Sequence, residues 1–314
     1  MIRRTYDCFC RITNIYQEKR GHKYMLSKES TIGFIGTGVM GKSMAANLMN
    51  AGYSVIVYSR TKEKASELLE NGAEWKSTVQ ELASSSDVII TMVGYPSDVE
   101  EVYFGANGIL EHAKTGSVTV DMTTSKPSLA KEIYQRAKER NIFALDAPVS
   151  GGDVGAKNGK LAIMAGGDEE AFTNIFPILK AIGENIILQG GAGAGQHTKM
   201  ANQITIASNM IGVCEAIMYA KKAGLDPERV LQSISTGGAA SFSLSELGAR
   251  MLKRDYAPGF YVKHFIKDMT IAIESAEELG LSTPGLSLSL KLYKELAAKG
   301  EEDSGTQALI KLFE

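Results

Sequence analysis

The sequence predicts an α/β fold in which a doubly wound parallel sheet is followed by an all-α second domain. Short apolar or β-branched runs alternate with helical stretches up to about residue 190, and parallel strands require such crossover connections. Strand signals then become scarce, and a long helical run begins at about residue 196. We therefore expect an N-terminal extension at 1–30, a sheet domain at 31–190 and an all-α domain at 191–314.

The elements of the sheet domain are identified from their apolar runs and from the residues that end them. The first two predicted strands are a short β-rich apolar run at 31–36 and a β-branched run at 54–58. The runs at 87–93 and 117–122 are apolar strands of the buried parallel kind, and 143–147 continues the series. The predicted helices lie between these strands and cover 42–50, 62–71 and about 129–140. A glycine, Gly72, marks the end of the second helix.

The second half carries signals for the beginnings and ends of helices. Four glycines between 190 and 195 predict a flexible connection into a helix that runs from 196 to about 223. Asp226, Pro227 and Glu228 then supply an N-cap, a proline in the first turn and a first-turn acid. Gly280 and Gly300 predict two further helix ends.

The composition excludes several classes of protein. Of the 314 residues 44% are hydrophobic and 22% are charged, with a formal net charge of −2, which is ordinary for a globular chain. The balanced charge gives no reason to expect nucleic acid as a partner. The chain has no apolar run near the roughly 18 residues that span a bilayer, so we expect no membrane partner. Three cysteines are too few for a disulfide framework and predict a reducing, cytoplasmic location.

The first two dozen residues are more basic than the rest of the chain. They lack the serines of a mitochondrial transit peptide, and Arg11 interrupts the one apolar run that resembles a secretory signal. We expect a dispensable tail, or an upstream start with the natural start at Met25.

A glycine motif follows the first predicted strand and opens the first predicted helix. A lone G-x-G-x-x-G is a weak signal, but a strand before it and a helix after it make it specific for a dinucleotide. The first glycine permits a tight turn, the second lets backbone approach a pyrophosphate, and the third allows close packing of helix and strand. The free N–H groups of the helix N-terminus attract the anion. The predicted cofactor residues are Gly36, Thr37, Gly38, Val39, Met40 and Gly41.

The residues after the second strand bear on the choice between NAD and NADP. An NAD site usually has an acidic residue there, which accepts a hydrogen bond from the ribose 2′-hydroxyl. This chain has Ser59, Arg60 and Thr61 instead, with no carboxylate before Glu63. Arg60 can pair with a 2′-phosphate, and the two hydroxyls can donate hydrogen bonds to it. We predict NADP as the cofactor, with NAD possible; the alternative is that Arg60 is a solvated surface charge.

Five segments, in order, resemble the β-hydroxyacid dehydrogenase family, which includes 3-hydroxyisobutyrate dehydrogenase and the reductases of tartronate semialdehyde, glyoxylate and succinic semialdehyde. The segments are 33–48, 121–127, 146–152, 193–203 and 267–269. The resemblance implies a Rossmann-type sheet domain and hydride transfer between NADP(H) and a small 3-hydroxy acid or its semialdehyde. The long helix between the domains and the apolar second domain further indicate a homodimer or homotetramer.

Lys199 is the candidate catalytic residue. Hydride transfer to a carbonyl leaves negative charge on oxygen, so a proton donor is needed beside it. Lys199 lies on a helix of mostly small or apolar residues, and desolvation in a cleft would lower its pKa. The resemblance gives Lys199 the role of general acid/base and gives a nearby amide, Asn202 or Gln203, the task of orienting the substrate. The alternative is a lysine that extends along the surface into water.

The remaining candidates come from the other segments of the resemblance. Ser150, Gly151 and Gly152 offer successive N–H groups and a hydroxyl that suit a small carboxylate, although a glycine-rich turn has the same composition. The other predicted cofactor residues are Met92, Val93, Thr124 and Lys267. For Lys267 the alternative is a solvated charge in the first turn of a helix. The four histidines lack metal-ligand spacing, and we expect no metal.

Two other functions fit parts of the pattern. A regulatory module that binds NADPH without turnover would keep the same fold, since fold alone does not give function. 6-Phosphogluconate dehydrogenase resembles the helix motif, but its larger second domain is missing here. Imine reductases resemble the architecture, but they typically replace the lysine that this chain retains.

Overall fold

The computed structural model describes residues 26–314, and its sheet domain is built on nine strands. The strands are β1 (Thr31–Ile35), β2 (Ser54–Tyr58), β3 (Glu74–Trp75), β4 (Val88–Thr91), β5 (Val118–Asp121), β6 (Phe143–Asp146), β7 (Val149–Ser150), β8 (Leu161–Gly166) and β9 (Gly183–Gly190). The five strands predicted from the sequence are present. Of the four strands that were not predicted, β3 and β7 have only two residues each and β9 is largely exposed. The fourth, β8, is an apolar run that the sequence reasoning missed.

The α-helices of the described residues connect these strands and then form the second half of the chain. They are α1 (Val39–Asn50), α2 (Ser66–Glu70), α3 (Val79–Ser85), α4 (Pro96–Phe104), α5 (Ile109–His112), α6 (Pro127–Glu139), α7 (Gly152–Lys157), α8 (Glu169–Leu179), α9 (Ala194–Lys222), α10 (Pro227–Ile234), α11 (Gly248–Leu252), α12 (Val262–Glu278) and α13 (Pro284–Leu296). The 3₁₀ segments are Lys62–Ala65 and Thr306–Leu312, and the π segments are Ser243–Leu247 and Ala297–Glu301. The helix expected at 62–71 is therefore a 3₁₀ turn that continues into a short α-helix.

Six strands form a parallel sheet in the order β3-β2-β1-β4-β5-β6. This is the Rossmann order. The chain adds β2 and β3 on one side of β1 and then β4, β5 and β6 on the other, which leaves a crevice at the carboxyl ends of β1 and β4. The sheet is not parallel throughout: β8 pairs antiparallel with β6 and with β7, and β9 runs parallel to β8. The chain leaves β6 through the short β7 and α7 and re-enters beside β6 in the opposite direction, an edge arrangement that large sheets often carry.

Both faces of the sheet are buried, because successive strand residues point to opposite sides. Ile32 and Phe34 of β1 pack with Met44 of α1 on one face, whereas Ile35 packs with Leu82 of α3 on the other. These side chains are at most 1% exposed. The parallel strands accordingly read as continuous apolar runs in the sequence.

The second half of the described chain is helical, as expected. The long helix α9 contacts α12 and α13, and a core that includes Met210, Cys214, Phe265 and Tyr293 lies between them. The N-cap predicted at Asp226 is also present, since its side chain accepts a hydrogen bond from the Glu228 N–H and α10 begins at Pro227. Among residues 26–314, no helix combines the length and apolar character needed to cross a membrane.

The expected N-terminal extension falls mainly on residues 1–25, which lie outside the described part of the chain. The described chain begins beside the sheet: the ammonium of Lys28 donates a hydrogen bond to the Ala51 carbonyl and lies 3.7 Å from the centroid of the Tyr53 ring.

Two glycines of the turn between β1 and α1 differ in the space around them, and this difference can be tested. A Cβ at Gly41 would collide with the carbonyl oxygen of Gly36, whereas a Cβ at Gly38 would meet nothing within 4 Å. We expect Gly41→Ala to lower the free energy of unfolding by about 1–3 kcal/mol, because backbone must move to admit the methyl group. Gly38→Ala is the matched control and should change it by less than about 0.5 kcal/mol. Urea denaturation measures both, and equal losses in the two variants would contradict the packing argument.

Candidate active site

The glycine turn brings the predicted cofactor residues of β1 and β4 together. Gly36 has a φ of +99°, and its N–H donates to the Tyr58 carbonyl at 2.9 Å. A Cβ at Gly36 would collide with the carbonyl oxygen of Met92, and the Val93 side chain would lie 3.3 Å away. Met92 and Val93 therefore border the turn, and only glycine fits at position 36.

The N-terminus of α1 has the features that an anion requires. Gly38 is the N-cap, with no side-chain cap and no acidic residue in the first turn. Thr37 is 2% exposed, and within residues 26–314 its hydroxyl has no hydrogen-bond partner. Val39 is exposed and Met40 is half-buried. A pyrophosphate would satisfy the free N–H groups, and the open space over Gly38 leaves room for it.

Arg60 lies beyond the end of β2, where the sequence places it, but it already has a partner. Its guanidinium lies 3.0 Å from a carboxylate oxygen of Asp98 on α4, and its side chain is 74% exposed. Ser59 beside it is half-buried, and Thr61 is exposed. Because the guanidinium is largely in water, this ion pair is weak, about 1 kcal/mol or less, and a phosphate can compete for the guanidinium.

Lys199 is buried, which excludes the surface alternative. It is 6% exposed, and its Nζ donates a hydrogen bond to the Val149 carbonyl at 2.8 Å. Desolvation lowers the pKa of Lys199 to about 8, with the positive charge of Lys267 acting in the same direction and Asp268 opposing. A lysine in this state can give or take a proton near neutral pH.

The predicted substrate segment lies against Lys199, because Val149 directly precedes Ser150 in β7. Gly151 and Gly152 have φ values of +130° and +62°, a left-handed conformation that other residues adopt only with strain. Ser150 and Gly152 are half-buried and Gly151 is exposed, so this turn is open to a ligand. The structure thus brings the lysine and the candidate carboxylate site together.

A chain of polar contacts connects the two candidate amides to the cofactor side. Asn202 Nδ2 donates to Gln203 Oε1 at 2.6 Å, and Gln203 Nε2 donates to Asp268 Oδ2 at 2.7 Å. Asp268 Oδ1 lies 2.9 Å from Lys267 Nζ. Lys267 in turn donates to the Thr124 carbonyl at 2.8 Å, which places both predicted cofactor residues in one cluster.

The solvated alternative for Lys267 is wrong. Its side chain is only 12% exposed, and its Nζ also donates to the Gly94 carbonyl at 3.2 Å. Lys267 lies on α12 of the helical half, while Gly94 and Thr124 follow strands β4 and β5. The lysine therefore connects the two halves of the chain at the crevice.

Asp146 was not identified from the sequence as a residue with a role of its own. Its two carboxylate oxygens accept hydrogen bonds from Gly193 N at 2.7 Å and from Gln196 N at 2.8 Å, so that it caps α9. Burial raises the pKa of Asp146, and these two hydrogen bonds oppose the shift. The expected flexible glycine connection is wrong at Gly193 and Gly195: both are buried, and a Cβ at Gly195 would collide with the Met164 carbonyl.

Gln196 is a second residue that the sequence reasoning missed. Its side chain is fully buried, accepting from Ser125 N at 2.9 Å and donating to the Thr123 carbonyl at 2.7 Å. Thr123 Oγ1 also accepts from Val93 N at 3.0 Å. The loop after β5 is thereby held to α9 and to the loop after β4. A buried amide on a helix gives no periodic signal, whereas an acid at the end of an apolar strand, as Asp146 is, could have been noticed.

The described residues hold no group of three or more His, Cys, Asp or Glu arranged around a metal position. Burial lowers the pKa of His197 and of His264, which lie near Lys199 and Lys267 in the sequence. Both histidines are half-buried.

Comparisons with known proteins agree with this geometry. A family model described as the NAD binding domain of 6-phosphogluconate dehydrogenase matches residues 31–191, and one described as NAD-binding of NADP-dependent 3-hydroxyisobutyrate dehydrogenase matches residues 193–313. The 2-hydroxy-3-oxopropionate reductase of Escherichia coli is 41% identical over 90% of this chain and 97% of its own length. The chain belongs to the β-hydroxyacid dehydrogenase family. It is therefore a NAD(P)-dependent hydroxyacid dehydrogenase.

Two further relatives extend the comparison. An uncharacterized oxidoreductase of Bacillus subtilis is 65% identical over 91% of this chain and 99% of its own length. A solved structure described as Mycobacterium tuberculosis 3-hydroxyisobutyrate dehydrogenase with L-serine is 29% identical, with a TM-score of 0.84 over 91% of this chain and 99% of that one. The resemblance inferred from five sequence segments is thus confirmed over nearly all of the described chain.

Asp121, at the end of β5, gives the site a measurable pH dependence of stability. Desolvation raises the pKa of Asp121 from 3.8 to about 6, against hydrogen bonds from Thr91 and Thr123. Between these values the folded state keeps a proton that the unfolded chain releases, so this carboxyl's contribution to stability is lost as pH rises from about 4 to about 6. We expect the unfolding free energy of the wild type to fall, relative to Asp121→Asn, by about 2–3 kcal/mol over that window.

Asp121→Asn is the matched reference because its amide oxygen can still accept both hydrogen bonds, while the titration is removed. Urea denaturation of both proteins at pH 4.5, 5.5 and 7 measures the difference. Parallel pH curves for the two proteins would contradict a raised pKa at this carboxyl.

Proposed function

We propose that the enzyme transfers hydride between NADP(H) and a small 3-hydroxy acid or its semialdehyde, with Lys199 as general acid/base. The observation that carries the proposal is the buried ammonium group of Lys199, held on the Val149 carbonyl next to the Ser150–Gly152 turn. The pKa of Lys199, lowered to about 8, suits transfer of a proton in either direction.

The nicotinamide cofactor, when bound, would supply the hydride in reduction and accept it in oxidation, and the residues of this chain supply the remaining chemistry. In the direction of reduction Lys199 donates a proton to the oxygen that gains negative charge; in oxidation the neutral amine accepts the hydroxyl proton. The Val149 carbonyl keeps the amine in place in both protonation states, because each offers an N–H. The N–H groups of Ser150, Gly151 and Gly152 bind the substrate carboxylate and fix the reacting carbon beside Lys199.

The substrate class is supported by the names of two relatives. The relative named 2-hydroxy-3-oxopropionate reductase and the relative named 3-hydroxyisobutyrate dehydrogenase both carry names of small three- or four-carbon acids. We propose the same class here, to be tested with glyoxylate, succinic semialdehyde, methylmalonate semialdehyde and tartronate semialdehyde. The acid that is turned over with the highest kcat/KM identifies the preferred substrate among them.

Lys199→Ala should lose about 10²–10⁴-fold in kcat, since general acid/base catalysis contributes about that much. NADPH binding, followed by its fluorescence, should stay within about threefold of the wild type. Lys222→Ala, an exposed lysine at the end of the same helix, is the control and should keep full activity. A variant lacking Lys199 with wild-type turnover would exclude this residue as the proton donor.

The pH profile gives the same experiment a second readout. For oxidation of the hydroxy acid the neutral amine is required, so kcat/KM should rise with pH and level off above about 8, where Lys199 loses its proton. For reduction the ammonium is required, and kcat/KM should fall above the same pH. The residual activity of Lys199→Ala should show neither inflection.

NADP preference is proposed from Arg60, with Ser59 and Thr61 as neighbouring donors, and is supported by the NADP-dependent family that the second half of the chain matches. We expect Arg60→Ala to raise the KM for NADPH about 10–100-fold, because a charge-assisted hydrogen bond to phosphate is lost, and to leave the KM for NADH unchanged. Lys64→Ala, an exposed lysine nearby, is the control. Wild-type efficiency with NADH equal to or better than that with NADPH would contradict the preference.

A homodimeric or homotetrameric state and a cytoplasmic location stay predictions from the sequence. Size-exclusion chromatography with light scattering measures the first directly.

A further inference from the structure

Two adjacent amides, Asn202 and Gln203, stand one turn beyond Lys199, and the family resemblance leaves open which of them orients the substrate. They differ sharply in environment. Gln203 is 1% exposed, whereas Asn202 is half-buried. The hydrogen bonds around them also differ.

The Asp268 carboxylate decides which group donates and which accepts in each of the hydrogen bonds that connect Asp268, Gln203 and Asn202. A carboxylate only accepts hydrogen bonds, and Asp268 Oδ1 lies 2.9 Å from the ammonium group of Lys267. Gln203 must therefore present its NH₂ group to Asp268, at 2.7 Å. This orientation turns Gln203 Oε1 towards Asn202, which must in turn present its own NH₂ group, at 2.6 Å.

Gln203 is consequently committed at both ends of its amide, to Asp268 and to Asn202. The Asn202 amide has Oδ1 and one N–H left over, and within residues 26–314 neither takes part in a hydrogen bond. An acceptor and a donor side by side suit a substrate that carries a hydroxyl or carbonyl oxygen next to a carboxylate. Asn202 is three residues from Lys199, on the same side of α9.

We infer that Asn202 is the amide that contacts the substrate, and that Gln203 and Asp268 are positioning residues that fix the rotation of its side chain. This inference rests on the proposed function and deepens it. Because Asp268 is also paired with Lys267, which contacts the loops after β4 and β5, the orientation of the substrate amide is tied to the cofactor side of the crevice.

A double-mutant cycle on the full-length protein tests the assignment, with kcat and KM measured for the best carbonyl acid of the panel and NADPH. Asn202→Ala should lower kcat/KM for the carbonyl acid about 10–100-fold and leave the KM for NADPH unchanged. Gln203→Met, which has a similar volume and no amide, should lower it about 3–10-fold in the wild type but cause no further loss in the Asn202→Ala background. A positioning residue has nothing to position once Asn202 is gone.

The controls separate this outcome from a general loss of structure. Asn209→Ala makes the same substitution at another half-buried asparagine of α9 and should keep wild-type kinetics. Thermal unfolding of each variant identifies any that do not fold, and Gln203→Asn then replaces Gln203→Met. Equal losses from the Gln203 substitution in both backgrounds would overturn the inference, because they would mean that Gln203 contacts the substrate itself.

A readout without turnover keeps the inference distinct from the proposed reaction. Malonate has a carboxylate where the semialdehydes have an aldehyde, so it cannot be reduced, and its Kd for the NADPH complex is measured by calorimetry. The same non-additive pattern in Kd supports the role of Asn202 even if none of the four carbonyl acids is turned over. Additive losses in Kd, or no binding of malonate by the wild type, would overturn it.

Discussion

The active site depends on the contact between the Asp146 carboxylate and the N-terminus of α9. That carboxylate, at the end of β6, accepts hydrogen bonds from Gly193 N and Gln196 N and so fixes the first turn of the helix against the sheet. Lys199 lies one turn further on, and its distance from the Ser150–Gly152 turn follows from that attachment. Asp146 is 4% exposed, and a buried carboxylate is tolerated because N–H groups at a helix N-terminus solvate it.

Other buried polar side chains around the crevice also have polar partners. Four of these side chains are at most 6% exposed and each has a polar partner: Lys199, Gln196, Gln203 and Asp268. Such groups would be costly if unpaired, so their contacts define one arrangement of the two halves of the chain. Lys267 closes this arrangement from the helical side by donating to carbonyls after β4 and β5. Groups of the chain itself therefore hold Lys199 in position, as preorganised catalysis requires.

Much of the fold could be predicted because its signals are local. Apolar strands, a glycine motif between strand and helix, and the Asp226 N-cap each depend on neighbouring residues, and the structure confirms them. The antiparallel return of β8 could not be predicted, since a strand has the same composition in either direction. The flexible connection expected at 190–195 was wrong at Gly193 and Gly195 for a similar reason. These two glycines serve close packing, and only the positions of distant residues such as Pro127 and Met164 reveal it.

Motifs and hydrophobic patterning predicted the family, the sheet domain followed by a helical half, and the candidate residues of the crevice. Motif spacing and hydrophobic period record the backbone geometry that each segment adopts. Only the folded structure shows that Lys199 is buried and that Lys267 is not a solvated charge. It also shows that Gln203 and Asn202 make different hydrogen bonds. Burial and the direction of hydrogen bonds arise from residues far apart in the chain, and no local pattern encodes them.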